Sequence, residues 1–282
     1  MLYFIWGLFL GSFLNNVAYR LVRKQEFIYG KSKCPYCGKI LTWYELIPLI
    51  SFIIQKGRCR NCKNKISWRY PLTELITGFF TYGCALKSNV LLNLNLNNFI
   101  VFLYFLFFFS ILFILALYDW ETFYIEEKTL YFGLIGWLIF AIIFTFLNFS
   151  INFNLTDGLN YFFSFKLKQT RYHFILNSLF RGFIFSIFIL FLFILTFGRG
   201  IGLGDLKIAF FIGLFLNFGD IIALILFSSF FGAIIGIYKI LKNKKFFQEI
   251  PFIPLIFISA FLLLFLGEQL FYYFNNFMLK LS

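Results

Sequence analysis

Long apolar runs separated by short polar intervals set the pattern of this chain. NFIVFLYFLFFFSILFILAL and FILNSLFRGFIFSIFILFLFIL are each long enough, as helices, to cross ~30 Å of hydrocarbon. Eight such spans are predicted, at roughly 2–19, 71–87, 98–118, 129–148, 174–197, 207–219, 220–238 and 251–274. The sixth is short, so it and the seventh are expected to form a hairpin turning near Asn217 to Asp220. Two stretches break the pattern. Residues 20–70 form the only sizeable soluble unit, and residues 149–173 form an Asn- and Phe-rich loop that carries little signal. The expected fold is therefore an all-α polytopic membrane protein of about eight transmembrane helices.

Composition agrees with that fold. Of 282 residues, 61% are hydrophobic and 48 are Phe, which does not suit a water-soluble domain. The opening run has neither a basic start nor a small-residue cleavage site, so it is expected to stay as a helix. The formal net charge of +13 says less than its distribution. Assigning alternate sides to the spans puts 19 of the 25 Lys and Arg into residues 20–70, 119–128, 198–207 and 239–250. Positive-inside bias then places those segments in the cytoplasm and both termini outside. Because the basic stripe lies beside apolar spans, it reads as attraction to anionic lipid headgroups and not as a nucleic-acid surface.

Within residues 20–70, Cys34 and Cys37 form one C-x2-C pair, and Cys59 and Cys62 form a second. Two such knuckles can aim four thiolates at one point, the arrangement that a closed, structural zinc site requires. A disulfide would not persist in a reducing cytoplasm. The expectation is a zinc-stabilised cytoplasmic loop in which Lys39, Arg58, Arg60 and Lys63 offset the charge of the centre. The apolar stretch LTWYELIPLISFIIQ between the knuckles is expected to pack down on the membrane surface or the helix bundle. Cys84 reads as a small apolar filler.

Two aspartates occupy costly places. Asp119 ends one apolar run, and Asp205 follows Gly200, Gly202 and Gly204 at the start of another. Taken singly, each is an interface cap. Together they lie on the same predicted face of the membrane, and the glycines leave room for a second backbone to approach Asp205. Arg199 and Lys207 flank that turn and can hold it at headgroup level. Two carboxyls held a few ångströms apart share a proton, so one can activate water while the other protonates a peptide carbonyl. That is aspartic protease chemistry. The parts for competing chemistries are missing: the sole histidine, His173, lies on the outer side, and there is neither a G-x-S-x-G serine nor a Walker loop.

The residues in order resemble the type IV prepilin peptidases, the GxGD-type membrane aspartic proteases. GSFLNNVAYR (11–20) is similar to the family's GSFLNVVIYR, and CPYCGKILTWYELIP…GRCRNCKNKISWRYPLTEL (34–75) follows its zinc-binding loop. YDW (118–120) stands at the first catalytic aspartate, GLGDLK (202–207) matches the GxGDxK motif of the second, and EIPFIPL (249–255) resembles the Pro-Phe motif before the last helix. One departure stands out: where the family has Pro-Asp seven residues after the first aspartate, this chain has Glu126-Glu127. Glu121 competes with Asp119 as an acidic partner, but the resemblance puts the catalytic position at 119.

The resemblance implies more than cleavage. Members with the cysteine loop remove the basic leader of prepilins or pseudopilins and then methylate the new N-terminus with S-adenosylmethionine. On this reading residues 1–96 are the helix pair and loop that serve methyl transfer, and residues 97–282 are a six-helix peptidase domain. The site residues would be Asp119 and Asp205, with Gly202, Gly204 and Lys207 forming the turn or binding substrate. The metal ligands would be the four cysteines. Glu45, Glu74 and Asn15 match motif positions, and each has an equally good structural reading as an interface cap, a helix-start charge or a buried amide. Glu121, Glu126 and Glu127 are expected to attract the basic leader. The implied location is the bacterial inner membrane, with loop and site on the cytoplasmic side and no nucleic-acid partner. Alternatives are a peptidase without methylation, a proton-coupled transporter using the aspartate pair, and a silent assembly scaffold. A transporter would be expected to show inverted repeats, and none is evident in the sequence.

Overall fold

The computed structural model describes residues 1–25, 32–147, 173–197, 202–243 and 250–281. The loop expected at 149–173 falls almost wholly outside the described residues, as do Arg199 and Gly200. The chain divides into two compact units, Met1–Leu86 and Lys87–Ser282. The described residues are helical, apart from turns and two isolated bridges in the cysteine loop.

The first unit contains α1 (Leu2–Val22), a single 3-10 turn (Trp43–Glu45), the short α2 (Ile50–Ile54) and α3 (Arg69–Lys87). α1 and α3 meet backbone to backbone. A methyl group added at Gly7 would come within 2.7 Å of Gly78 Cα, and one at Gly11 within 2.8 Å of Glu74 Cα. Small residues four apart thus let the two helices touch, as they do in membrane interiors. Polar groups gather at this crossing. Asn15, Thr73, Glu74, Thr77 and Thr81 are buried, and the Arg69 Nε donates to Asn15 Oδ1 at 2.9 Å. Cys84 is fully buried in α3, as a filler would be.

The second unit is built around α4 (Leu96–Thr122), whose Phe108, Phe109, Leu112 and Leu115 have no exposed surface. α5 (Glu127–Phe146) and α9 (Phe252–Leu281) pack against α4. α8 (Phe218–Asn243) packs against α9, while α6 (His173–Leu195) and α7 (Leu203–Phe215) pack along each other and meet α5. Rings of Tyr104, Phe108, Phe211 and Phe215 stack between α4 and α7 at centroid distances of 4.9 to 5.9 Å.

The expected hairpin is a turn at residues 216–217, but α7 lies chiefly along α6 and barely touches α8. The cause is the crossing of Gly213 and Gly182, where an added methyl group would fall 2.6 Å from the opposing Cα.

Among the described residues five helices are long and apolar enough to cross a membrane: α1, α4, α5, α6 from Phe174, and α8 to Lys242. The chain is a multi-pass membrane protein. The expected count of eight is not reached by this measure, for a different reason at each remaining helix. α3 has the length, but Arg69, Glu74, Lys87 and three threonines lower its hydropathy. α7 has only 13 residues, and of α9 only Phe252–Gly267, the part whose side chains are described, enters the count.

Candidate active site and cysteine centre

Asp119 sits in the last turn of α4 and is 6% exposed. The helix ends just beyond it at Phe123, whose left-handed conformation (φ 58°, ψ 21°) lets its N–H donate to the Asp119 carbonyl at 2.9 Å. The chain then turns through Tyr124 and Ile125, and the Glu126 side chain accepts from the Thr129 N–H to begin α5. An N-cap thus opens α5 where the family pattern has proline.

The Asp119 carboxyl is held by a third helix. The Ile253 N–H, in the first turn of α9, donates to Asp119 Oδ2 at 3.0 Å. The start of a helix suits a carboxylate, because its amides point outward and its dipole is positive there. Sequence reasoning noted the Pro-Phe stretch but gave it no role. A backbone donor has no side-chain signature, and only Pro251 ahead of an apolar run marks the place where amides are left unpaired.

Asp205 is the third residue of α7 and is half-buried. Its Oδ2 accepts from the Gly202 N–H at 2.9 Å, closing the first turn on itself. Gly204 faces the α4–α5 turn, where a methyl group would come within 2.6 Å of Ile125 Cδ1. Gly202 is different: it is exposed, and an added methyl group would meet nothing nearer than 3.8 Å. Lys207 forms an ion pair with Glu127, joining the first turn of α7 to that of α5. The end of α4 and the starts of α5, α7 and α9 therefore converge. Of the glutamates expected to attract a basic leader, Glu126 caps α5 and Glu127 holds Lys207.

The four loop cysteines form a second centre, in the first unit. Their sulfurs all lie within 4.8 Å of one another, with Cys34 and Cys62 at 3.9 Å. Each knuckle is the same turn. The Gly38 N–H donates to the Cys34 carbonyl and the Lys63 N–H to the Cys59 carbonyl, both at 3.0 Å. The Cys34 and Cys59 amides donate to the Lys39 and Asn64 carbonyls, both at 2.9 Å. The positive φ at Gly38 (70°) and Lys63 (60°) turns each chain back on itself. Zinc–sulfur bonds of about 2.3 Å in a tetrahedron require sulfurs about 3.8 Å apart, so the cluster fits a four-thiolate metal. The Asn61 amide donating to the Cys37 sulfur, together with the Lys39 N–H, pulls that thiol down to about 6, whereas against the Asn64 N–H, burial and the neighbouring sulfurs push Cys62 up to about 11.

The remaining motif positions of this unit have structural partners. Glu45 accepts from the Thr42 N–H at 2.9 Å and hydroxyl at 2.8 Å and pairs with Lys39 at 3.2 Å. Glu74 accepts from the Leu49 N–H at 2.8 Å, which ties the inter-knuckle segment to α3.

Comparison with known proteins decides the family. Residues 5–88 match the bacterial peptidase A24 N-terminal domain, and residues 106–237 match the type IV leader peptidase family. A prepilin leader peptidase/N-methyltransferase of Bacillus subtilis is 30% identical over 95% of this chain and 94% of its own length. The chain belongs to the type IV leader peptidase family. A similarly named protein of Aeromonas hydrophila is 28% identical over 98% of this chain and 94% of its own length. One from Myxococcus xanthus is 48% identical, but over only 29% of this chain and 24% of its own length. No solved structure gives a significant match. Membership in this family favours the leader peptidase reading over the transporter and the scaffold.

Proposed function

We propose that this leader peptidase family member is an aspartic endopeptidase of the bacterial inner membrane that removes the basic leader from prepilin-like proteins on the cytoplasmic side. What supports this reading is that the helix ends bearing the two aspartates meet, Gly204 beside Asp205 lying against Ile125 of the turn after Asp119 and Lys207 pairing with Glu127. The positive-inside count supports the sidedness. A prepilin's cut lies where its basic leader meets its apolar helix, so catalyst and scissile bond share one depth. One carboxylate takes a proton from water, and its partner donates a proton to the scissile carbonyl oxygen as the water oxygen bonds to carbon. The pair then returns a proton to the leaving amine. The α9 amides keep Asp119 oriented, while the exposed Gly202 flank leaves room for an extended substrate strand.

The reading assigns Cys34, Cys37, Cys59 and Cys62 to structural zinc, held in a closed set that leaves no position for catalysis. The names of the relatives pair a leader peptidase with an N-methyltransferase activity; the reading assigns residues 1–96 to methyl transfer from S-adenosylmethionine and residues 97–282 to proteolysis. The candidate side chains do not outline a cofactor pocket. Asn15 and Glu74 have Arg69 and the Leu49 amide as partners, so no residue is assigned to the methyl donor.

The test is the N-terminal mass of a prepilin co-expressed with this chain, which reports cleavage and methylation at once. Asp119→Asn and Asp205→Asn are each expected to slow cleavage by about 10^3-fold or more while the protein stays in the membrane. Normal processing by either variant would remove that residue from the mechanism.

A further inference from the structure

A cavity of about 460 Å3 opens at the second knuckle, walled by Lys56, Arg58, Arg60 and Lys63, with Ile54, Gln55 and the metal-centre residue Cys59 completing it. All four cations are exposed. The only acid among residues 32–68 is Glu45, and it is already engaged by Thr42 and Lys39. Two negative charges on a metal-filled four-thiolate centre would still leave the cavity positive.

Next to this basic hollow lies apolar surface that water does not favour. Ile50, Ile53 and Ile54 of α2 are 54%, 71% and 63% exposed, and Trp43 and Trp68 are 76% and 69% exposed. The Arg60 guanidinium sits 4.9 Å from the centre of the Tyr44 ring, so cationic and aromatic groups are interleaved. An open positive hollow with room for a phosphate headgroup, beside isoleucines and tryptophans, matches one kind of occupant, an anionic phospholipid at a leaflet surface. The loop is placed to meet one, because the chain enters it from the membrane helix α1 and leaves it into α3, which packs on α1.

We propose that this face of the cysteine module docks on the anionic leaflet of its own membrane. A phospholipid phosphate occupies the Lys56–Arg58–Arg60–Lys63 cavity, and the α2 isoleucines lie in the headgroup layer. The site is independent of the peptidase reading, and its test does not use cleavage of prepilin.

The test places the full chain in nanodiscs of phosphatidylcholine alone or phosphatidylcholine with phosphatidylglycerol, and follows chymotrypsin cutting at Phe52 and Trp68. Protection by anionic lipid should slow cutting about tenfold or more relative to neutral discs, and raised salt should reverse it. The K56Q/R58Q/R60Q/K63Q variant should lose that difference, with bound metal measured alongside to show that the knuckles are intact. The wild-type comparison across lipids and salt stands even if the variant misfolds. Equal cutting in the two discs, whether fast or slow, would overturn the proposal. Equal protection of neutral discs by inorganic phosphate would also overturn it, because the cavity would then serve a soluble anion.

Discussion

The cysteine centre draws its ligands from two short turns of identical construction, whereas the aspartate site needs the end of α4 and the starts of α5, α7 and α9. In the first, each pair of sulfurs is aimed by hydrogen bonds spanning four or five residues, so spacing alone nearly dictates the geometry. In the second, Gly202 holds Asp205 locally, but the contacts that join the helix ends, Ile253 to Asp119 and Lys207 to Glu127, cross the bundle, and the helix packing must be right before they form. A local centre is therefore robust to the rest of the fold and depends on its metal. A convergent site depends on the positions of whole helices.

The largest effect should come from breaking the local centre. Cys59→Ser removes one of four thiolates, and structural zinc contributes roughly 10 kcal/mol or more to small domains. The loop is expected to become protease-sensitive and to release its metal, as is the parent when treated with a chelator. Cleavage should persist better than methylation if the two units are as separable as their construction suggests. The readout is the N-terminal mass of a co-expressed prepilin, alongside bound zinc. Equal loss of both activities, with the second unit still folded, would show that the aspartate site depends on the cysteine centre after all.

The same contrast explains what could be read from the sequence. The cysteine cluster was legible because its information is local: two C-x2-C pairs imply two turns. The aspartates were legible because charge beside an apolar run is conspicuous. The groups that hold them were not. The Ile253 amide on Asp119 carries no residue signature, and the Gly182–Gly213 crossing that sends α7 along α6 joins glycines in separate helices. Counting apolar residues marked where the helices lie. It missed that α3 turns its threonines, Glu74 and Asn15 of α1 into a buried polar seam.

A smaller effect should come from loosening the convergent site without touching either aspartate. The Lys207–Glu127 pair is exposed, so it contributes little to stability, yet it joins the helix bearing Asp205 to the turn after Asp119. Lys207→Glu should lower kcat by about tenfold with KM little changed, because misplacement of a catalytic group is penalised far more than lost surface charge. The swap Lys207→Glu with Glu127→Lys should restore most of the rate. If Lys207 contacts substrate instead, the single variant should raise KM, and the swap should fail to rescue it.

The smallest effect lies back in the local centre. Glu45 is held below the usual carboxylate range, first by the Thr42 N–H, then by the Thr42 hydroxyl and Lys39. A carboxylate depressed in the folded state stabilises it fully above the unfolded value of about 4.5, and that contribution fades as pH falls through the lower folded value. Glu45→Gln should therefore cost the loop about 1 kcal/mol at neutral pH, the usual worth of such a cap. The gap between parent and variant should stay constant down to about pH 4.5 and close below it. The measurement is loop proteolysis against pH, comparing the two proteins at each value so that the acid sensitivity of the thiolates cancels. A gap that widened on acidification would mean that Glu45 acts as a protonated donor, and its place in the cap would have to be withdrawn.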